Sequence, residues 1–188
     1  IPTSQDIGAL LVADVDGDNI PEVLIGDGQW GAIHSYDGLT QAEKWSINNP
    51  EHGMTDIAVG DVNGDDTVEV MWGAGATSTG PDYLYVADTV SHQIEWQSIH
   101  LDGPLSAVAV GDVDDDGQKE IVMVSYQSQN GYADGVIRIF DATTHVLEWQ
   151  STDLPGINTW SGVNSVLIDD VDDDGQTEFV IATADLYD

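Results

Sequence analysis

The chain contains no cysteine and only three basic residues, Lys44, Lys119 and Arg138. The first absence removes both a disulfide framework and thiolate metal ligands, so a zinc site would need histidine and carboxylate alone. The second, set against 35 Asp plus Glu for a formal net charge of -32, leaves no basic surface to grip a phosphate backbone or an anionic headgroup. Direct nucleic-acid and membrane-surface binding are therefore not expected. No apolar run approaches the ~18 residues of a membrane span, so no insertion into a bilayer is expected either. The sequence opens Ile1-Pro2 without an initiator methionine, and any targeting peptide is expected to have been removed or to lie outside it. There is no Asn-x-Ser/Thr acceptor, no Gly-rich phosphate loop and no nucleophile elbow. His34, His52, His92, His100 and His145 are scattered without metal-ligand spacing and are expected at the surface or at strand edges.

What is present is a repeat. A hydrophobic content of 41%, with six Trp and six Tyr over 188 residues, is enough for the core of one domain. Four segments share one acidic pattern: DVDGDNIPEVLIG from Asp14, DVNGDDTVEVMWG from Asp61, DVDDDGQKEIVMV from Asp112 and DVDDDGQTEFVIA from Asp170, starting 47, 51 and 58 residues apart. Before each lies an alternating pair, Leu10 and Val12, Ile57 and Val59, Val108 and Val110, Val166 and Ile168, as a strand demands. After each comes a near-continuous apolar run, Val23-Leu24-Ile25, Val70-Met71-Trp72, Ile121-Val122-Met123 and Phe179-Val180-Ile181, of the kind found in strands covered on both faces. A valine always follows the first acid (Val15, Val62, Val113, Val171) and reads as an inward anchor for the loop.

A second pair of strands follows in three units, in one frame. Asp37 to Trp45, Asp88 to Trp96 and Asp141 to Trp149 are each eight residues apart, with the Asp placed to cap a turn and the Trp to pack between neighbouring units. The expected fold is all-β: a β-propeller-like array of four-stranded antiparallel blades, three complete plus the first half of a fourth. The whole of 1–188 reads as one repeat domain, with blade 1 at about 7–53, blade 2 at about 54–104, blade 3 at about 105–160 and a partial blade 4 at about 161–188. Closed propellers typically hold four to eight blades, so the array is expected to belong to a larger propeller or an assembly.

Carboxylate or amide oxygens recur at positions 1, 3, 5 and 9 of each acidic loop: Asp14, Asp16, Asp18, Glu22; Asp61, Asn63, Asp65, Glu69; Asp112, Asp114, Asp116, Glu120; Asp170, Asp172, Asp174, Glu178. Two unit charges about 4 Å apart near a protein surface repel by roughly 4 kcal/mol, so such a loop opposes its own folding unless a cation answers it. With so few basic residues, that cation is expected from outside. Four side-chain oxygen groups, plus a backbone carbonyl at position 7 (Ile20, Thr67, Gln118, Gln176), suit the six to eight oxygens of Ca²⁺ better than the tight, hydrated octahedron of Mg²⁺. About four calcium sites are expected. The helix-flanked calcium loop is excluded, because its bidentate Glu at position 12 is replaced here by Ile25, Trp72, Met123 or Ile181. Asp66, Asp115 and Asp173 are expected to be solvated or outside the ligand set.

These repeats resemble the FG-GAP or VCBS-type calcium-binding repeats of integrin α-subunit-like β-propellers. The segment IAVGDVNGDDTVEVMWGAG, 57 to 75, is the best match, and the likeness covers essentially the whole chain. It departs from the pattern in Gly73-Ala74-Gly75, in the lack of a clear Phe-Gly pair, and in Asn19 and Asp66 where Gly usually stands at position 6. The resemblance implies a secreted, extracellular or cell-surface module, not an enzyme, in which calcium rigidifies blades that present a surface for adhesion to a protein or glycan. Two alternatives stand beside it: a self-assembling structural subunit of an extracellular filament or surface layer, with copies of itself as partners, and a non-catalytic part of a polysaccharide-active enzyme.

Overall fold

The computed structural model describes residues 6–75, 82–101, 105–125, 136–152 and 161–185, with side chains described outside 161–164 and 183–185. Parts of the expected second, third and fourth units therefore lie outside the described residues. The described chain is all-β, with strands β1 (Ile7–Ala13), β2 (Glu22–Asp27), β3 (Ala32–Asp37), β4 (Glu43–Asn48), β5 (Met54–Gly60), β6 (Glu69–Ala74), β7 (Leu84–Asp88), β8 (Ile94–Gln97), β9 (Leu105–Gly111), β10 (Glu120–Ser125), β11 (Val136–Asp141), β12 (Leu147–Gln150), β13 (Ser161–Asp169) and β14 (Glu178–Asp185). They form three four-stranded antiparallel meanders, β1-β2-β3-β4, β5-β6-β7-β8 and β9-β10-β11-β12, and the two-stranded pair β13-β14.

Each sheet lies face to face with the next. The first strands β1, β5, β9 and β13 stand beside one another in order, and three apolar layers fill the intervals. Leu24, Ile33 and Ile47 meet Val70, Trp72 and Tyr85 between the first two sheets. Met71, Leu84 and Val86 meet Ile121, Met123 and Phe140 between the second and third, and Val122, Val124 and Ile137 meet Val166, Phe179 and Ile181 between the third and fourth. Side chains alternate across a strand, so the runs of β6 and β10 are apolar at every residue because Val70 and Trp72 face one neighbour and Met71 the other. At the two ends of the series the outer faces carry exposed apolar side chains, Leu10 (64%) and Val12 (60%) on β1 and Leu167 and Val180 on β13 and β14.

Two irregularities recur in register. The first strand of each sheet is bulged near its start, where pairing skips Gly8, Thr55 and Asp56, Ser106, or Asn164. In the fourth strands β4, β8 and β12 the pairing skips Lys44, Glu95 and Glu148, each the residue before the frame tryptophan. A bulge leaves one residue unpaired and re-aims its side chain.

The tryptophans join neighbouring sheets, as expected. Trp45 lies 5.5 Å from the ring of His92, Trp96 stacks on His145 at 4.4 Å with planes 7° apart, and Trp149 lies 6.2 Å from Phe179. The two histidines sit at left-handed turn positions, φ 59° and 60°, which turns their rings out of the next sheet toward the preceding tryptophan. Neither position was legible as a stacking partner in the sequence, where the histidines stand about fifty residues from the rings they meet.

Candidate metal centre

The four acidic segments connect β1 to β2, β5 to β6, β9 to β10 and β13 to β14, and are numbered here as loops 1 to 4. Each hairpin closes at the same register, Ala13 opposite Glu22, Gly60 opposite Glu69, Gly111 opposite Glu120 and Asp169 opposite Glu178. The position-9 glutamate is thus the first residue of the returning strand. Its carboxylate reaches back to accept the N–H of the position-2 valine: Val15 to Glu22 at 3.0 Å, Val62 to Glu69 at 2.8 Å, Val113 to Glu120 at 2.8 Å and Val171 to Glu178 at 3.1 Å.

The first aspartate closes the turn from the other side. Asp14 accepts the N–H groups of Gly17 and Asn19 at 2.8 and 2.9 Å, and Asp61 those of Gly64 and Asp66 at 2.7 and 3.2 Å. Asp112 accepts from Asp116 and Gly117, and Asp170 from Asp174 and Gly175. Position 5 accepts the N–H of position 7 throughout: Ile20 to Asp18, Thr67 to Asp65, Gln118 to Asp116 and Gln176 to Asp174, all between 2.7 and 2.9 Å. Positions 4 and 6 are both left-handed in every loop. Loops 1 and 2 put Gly at position 4 and Asn19 or Asp66 at position 6, whereas loops 3 and 4 put Asp115 or Asp173 at position 4 and Gly at position 6. Asn and Asp tolerate this conformation best among residues with a side chain, so the missing glycine at position 6 costs little. Asp66, Asp115 and Asp173 are exposed, as are the acids at positions 3 and 5.

Three kinds of convergence result. In loop 3, carboxylate oxygens of Asp112, Asp114 and Glu120 lie within 4.8 Å of one another, and in loop 4 those of Asp170, Asp172 and Glu178 do the same. In loop 1 two trios form, Asp14 with Asp16 and Asp18, and Asp18 with Glu22 and Asp37. Loop 2 forms no such trio of acids among the described residues; its position 3 is Asn63, whose amide nitrogen donates to Glu69 at 3.3 Å. Each of these groups could hold a metal ion, and their donors are hard oxygens without exception.

Burial of the position-9 glutamate follows the packing of the next sheet. Glu22 and Glu69 are fully buried and Glu120 is 2% exposed, while Glu178 on the last described sheet is half-buried. The valine anchors show the same gradient: Val15 and Val62 are buried, Val113 is half-buried against the third apolar layer, and Val171 is exposed. The anchor expected at Val171 is thus absent among the described residues, since no further sheet packs over it there. Burial pushes the Glu120 carboxyl up to about 6, with the charges of Asp114, Glu148 and Asp112 adding to the effect against the Val113 N–H. Glu69 is raised for the same first reason.

The frame aspartates lie closer to the loops than their spacing revealed. Glu22, Glu69 and Glu120 are paired across the sheet with Asp37, Asp88 and Asp141. The Asp37 carboxyl is held below its ordinary value, first by the Thr40 N–H and then by the Thr40 hydroxyl; Asp141 is lowered by the Thr144 hydroxyl and N–H.

At loop 1 a basic residue of the chain itself also reaches the acids. Lys44 on β4 places its ammonium on Asp16, at 3.0 Å from Glu22 Oε1 and at 3.6 Å from Asp18. These contacts raise the ammonium above its usual value, the Asp16 contact first. Lys119, at position 8 of loop 3, donates to the Asp61 carbonyl of loop 2 at 3.0 Å. The sequence signal for Lys44 was its place immediately before the frame tryptophan, where the other units have Glu95 and Glu148.

No protein-family model matches the chain, and no curated protein matches it. Solved structures do, with 145 matching chains. They include the computationally designed Ika8 protein, at 18% identity and a TM-score of 0.58 over 88% of this chain and 41% of that one. The computationally designed Ika4 protein matches at 17% identity and a TM-score of 0.60 over 96% of this chain and 93% of that one. U3-55K matches at 12% identity and a TM-score of 0.60 over 88% and 43%. The chain therefore spans about two fifths of the Ika8 and U3-55K chains and nearly all of Ika4. At these identities the likeness is one of fold.

Proposed function

We propose that the chain is a calcium-stabilised β-propeller module of the FG-GAP or VCBS type, working outside the cell as a non-catalytic surface for adhesion, ligand binding or scaffolding. Four-stranded meanders set face to face, with their first strands side by side, are the arrangement of propeller blades, and this supports the propeller reading. The observation that carries the calcium reading is Glu120. A buried carboxylate facing Asp112 and Asp114, with only the Val113 N–H donating to it among the described residues, is costly unless a cation joins the group. Positions 1, 3, 5 and 9, with the position-7 carbonyl, would hold Ca²⁺, which neutralises the loop and fixes both strands of the hairpin. Extracellular sites of this class work at dissociation constants of about 10⁻⁴ to 10⁻³ M, matched to calcium outside the cell.

Thermal unfolding in calcium and in chelator tests this. A midpoint that rises with calcium and not with equal magnesium is the expected result; coincident curves would sink the calcium reading. The apolar outer faces at Leu10 and Val12, and at Leu167 and Val180, favour a second reading as a self-assembling subunit. Sedimentation with calcium separates the two, because ordered polymers belong to the second reading and discrete particles to the first.

A further inference from the structure

Each fourth strand carries its bulge at the same place, and in the first sheet the unpaired residue there reaches the acidic loop of its own sheet. In the first sheet it is Lys44, in contact with Asp16, Asp18 and Glu22. In the second it is Glu95, whose carboxyl is raised first by burial and then by the charges of Asp88 and Asp65. In the third it is Glu148, raised by burial and then by Asp141, Asp114 and Asp116. The side chains that Lys44 touches stand at positions 3, 5 and 9, and positions 3 and 9 also belong to the cluster of loop 3, with position 1.

We infer that Lys44 is the resident cation of loop 1, which it closes in place of a divalent ion, and that the residue at the fourth-strand bulge decides whether a loop takes metal. An ammonium has three donors and meets three carboxylates here. A Ca²⁺ ligated by those carboxylates would sit about 2.3–2.6 Å from their oxygens, within a few ångströms of the ammonium nitrogen, where repulsion and plain overlap exclude one or the other. Expelling Lys44 would also leave a long cationic side chain without the partners it now has. Glu95 and Glu148, by contrast, bring negative charge near loops that already need a cation, without joining a ligand trio. The inference rests on the calcium reading of the other loops only for its ion counts.

Calorimetric titration of the chelated full chain with CaCl₂ tests it, comparing the native protein with Lys44→Glu, which copies the residue of the other two bulges. One more ion per chain is expected in the variant than in the native protein. The converse change, Glu148→Lys, is expected to remove one, and it decides the matter if the first variant does not fold. Equal counts in native protein and a folded variant overturn the inference. Four ions in the native protein overturn it while leaving the calcium reading intact. None in the native protein and one in Lys44→Glu would do the reverse, and none in either would remove both.

Discussion

Loops 1 and 3 share left-handed positions 4 and 6 and a position-9 glutamate bonded to the position-2 valine, yet the residue at the fourth-strand bulge beside them is Lys44 in one and Glu148 in the other. Loop 1 gathers Asp14, Asp16, Asp18 and Glu22, and Lys44 from β4, two strands away from β2, reaches the last three. Loop 3 gathers Asp112, Asp114 and Glu120 and has Glu148 at the equivalent bulge, which adds repulsion. The glutamate-to-valine bond and the left-handed positions are therefore kept whichever charge stands at the bulge. Hydrogen bonds from backbone N–H groups hold both loops.

The comparison is broken most severely at Lys44. Lys44→Glu in chelator strands the fully buried Glu22 with its charge unpaired, and a loss of about 3–5 kcal/mol is expected in urea unfolding, the range for removing one partner of a buried pair. A loss under 1 kcal/mol would mean that Lys44 contributes only as a surface pair. Calcium removal comes next: each site held at about 100 times its dissociation constant adds ~2.7 kcal/mol, so chelation is expected to lower the melting midpoint clearly. In the native protein that loss is expected from loops other than the first. Amide exchange would show it, with Gly117 and Gln118 losing protection in chelator while Gly17 and Ile20 keep theirs.

Glu120→Gln sharpens the contrast by acting with opposite signs. In the metal-free fold Glu120 holds its proton up to about 6, against 4.5 for an ordinary glutamate. The folded state therefore binds the extra proton between those values, and this contribution to stability, present below about 4.5, is lost as pH rises through 6. Neutral glutamine is expected to gain roughly 1–2 kcal/mol at pH 7 in chelator and to flatten the dependence between pH 4.5 and 6.5. In calcium the same change removes a ligand, and the variant should be the less stable protein. A variant less stable in both conditions would argue against ion binding at loop 3.

The smallest effects concern the left-handed positions. Gly117 has φ +89° with nothing within 4 Å of an added Cβ, so Gly117→Ala is strained by backbone conformation alone and is expected to cost about 1–2 kcal/mol. Asn19→Gly at the same position of loop 1 is expected to change stability by less than about 1 kcal/mol, since asparagine already tolerates φ 66°. Urea midpoints of the two variants, measured in both calcium and chelator, check these values.

Amino-acid order alone determined the repeat, its antiparallel strands and the acidic hairpins. Period-two alternation, the doubly apolar runs and the Asp-to-Trp frame are local patterns, and strand pairing between consecutive segments follows from them. The acids that gather in loops 3 and 4 were also legible, because there the nine-residue hairpin brings positions 1, 3 and 9 together, whereas loop 1 groups its acids differently and loop 2 forms no such trio among the described residues. What only the tertiary structure decided is how each loop meets its charge and how deeply it is buried. Lys44 lies 22 residues from Glu22 and reaches it through two strand pairings and a bulge. Glu120 is buried and Glu178 only half so because a further sheet packs over the first and none does over the second among the described residues. Electrostatic balance depends on distance in space and on the exclusion of water, and neither is a property of neighbouring positions in the chain.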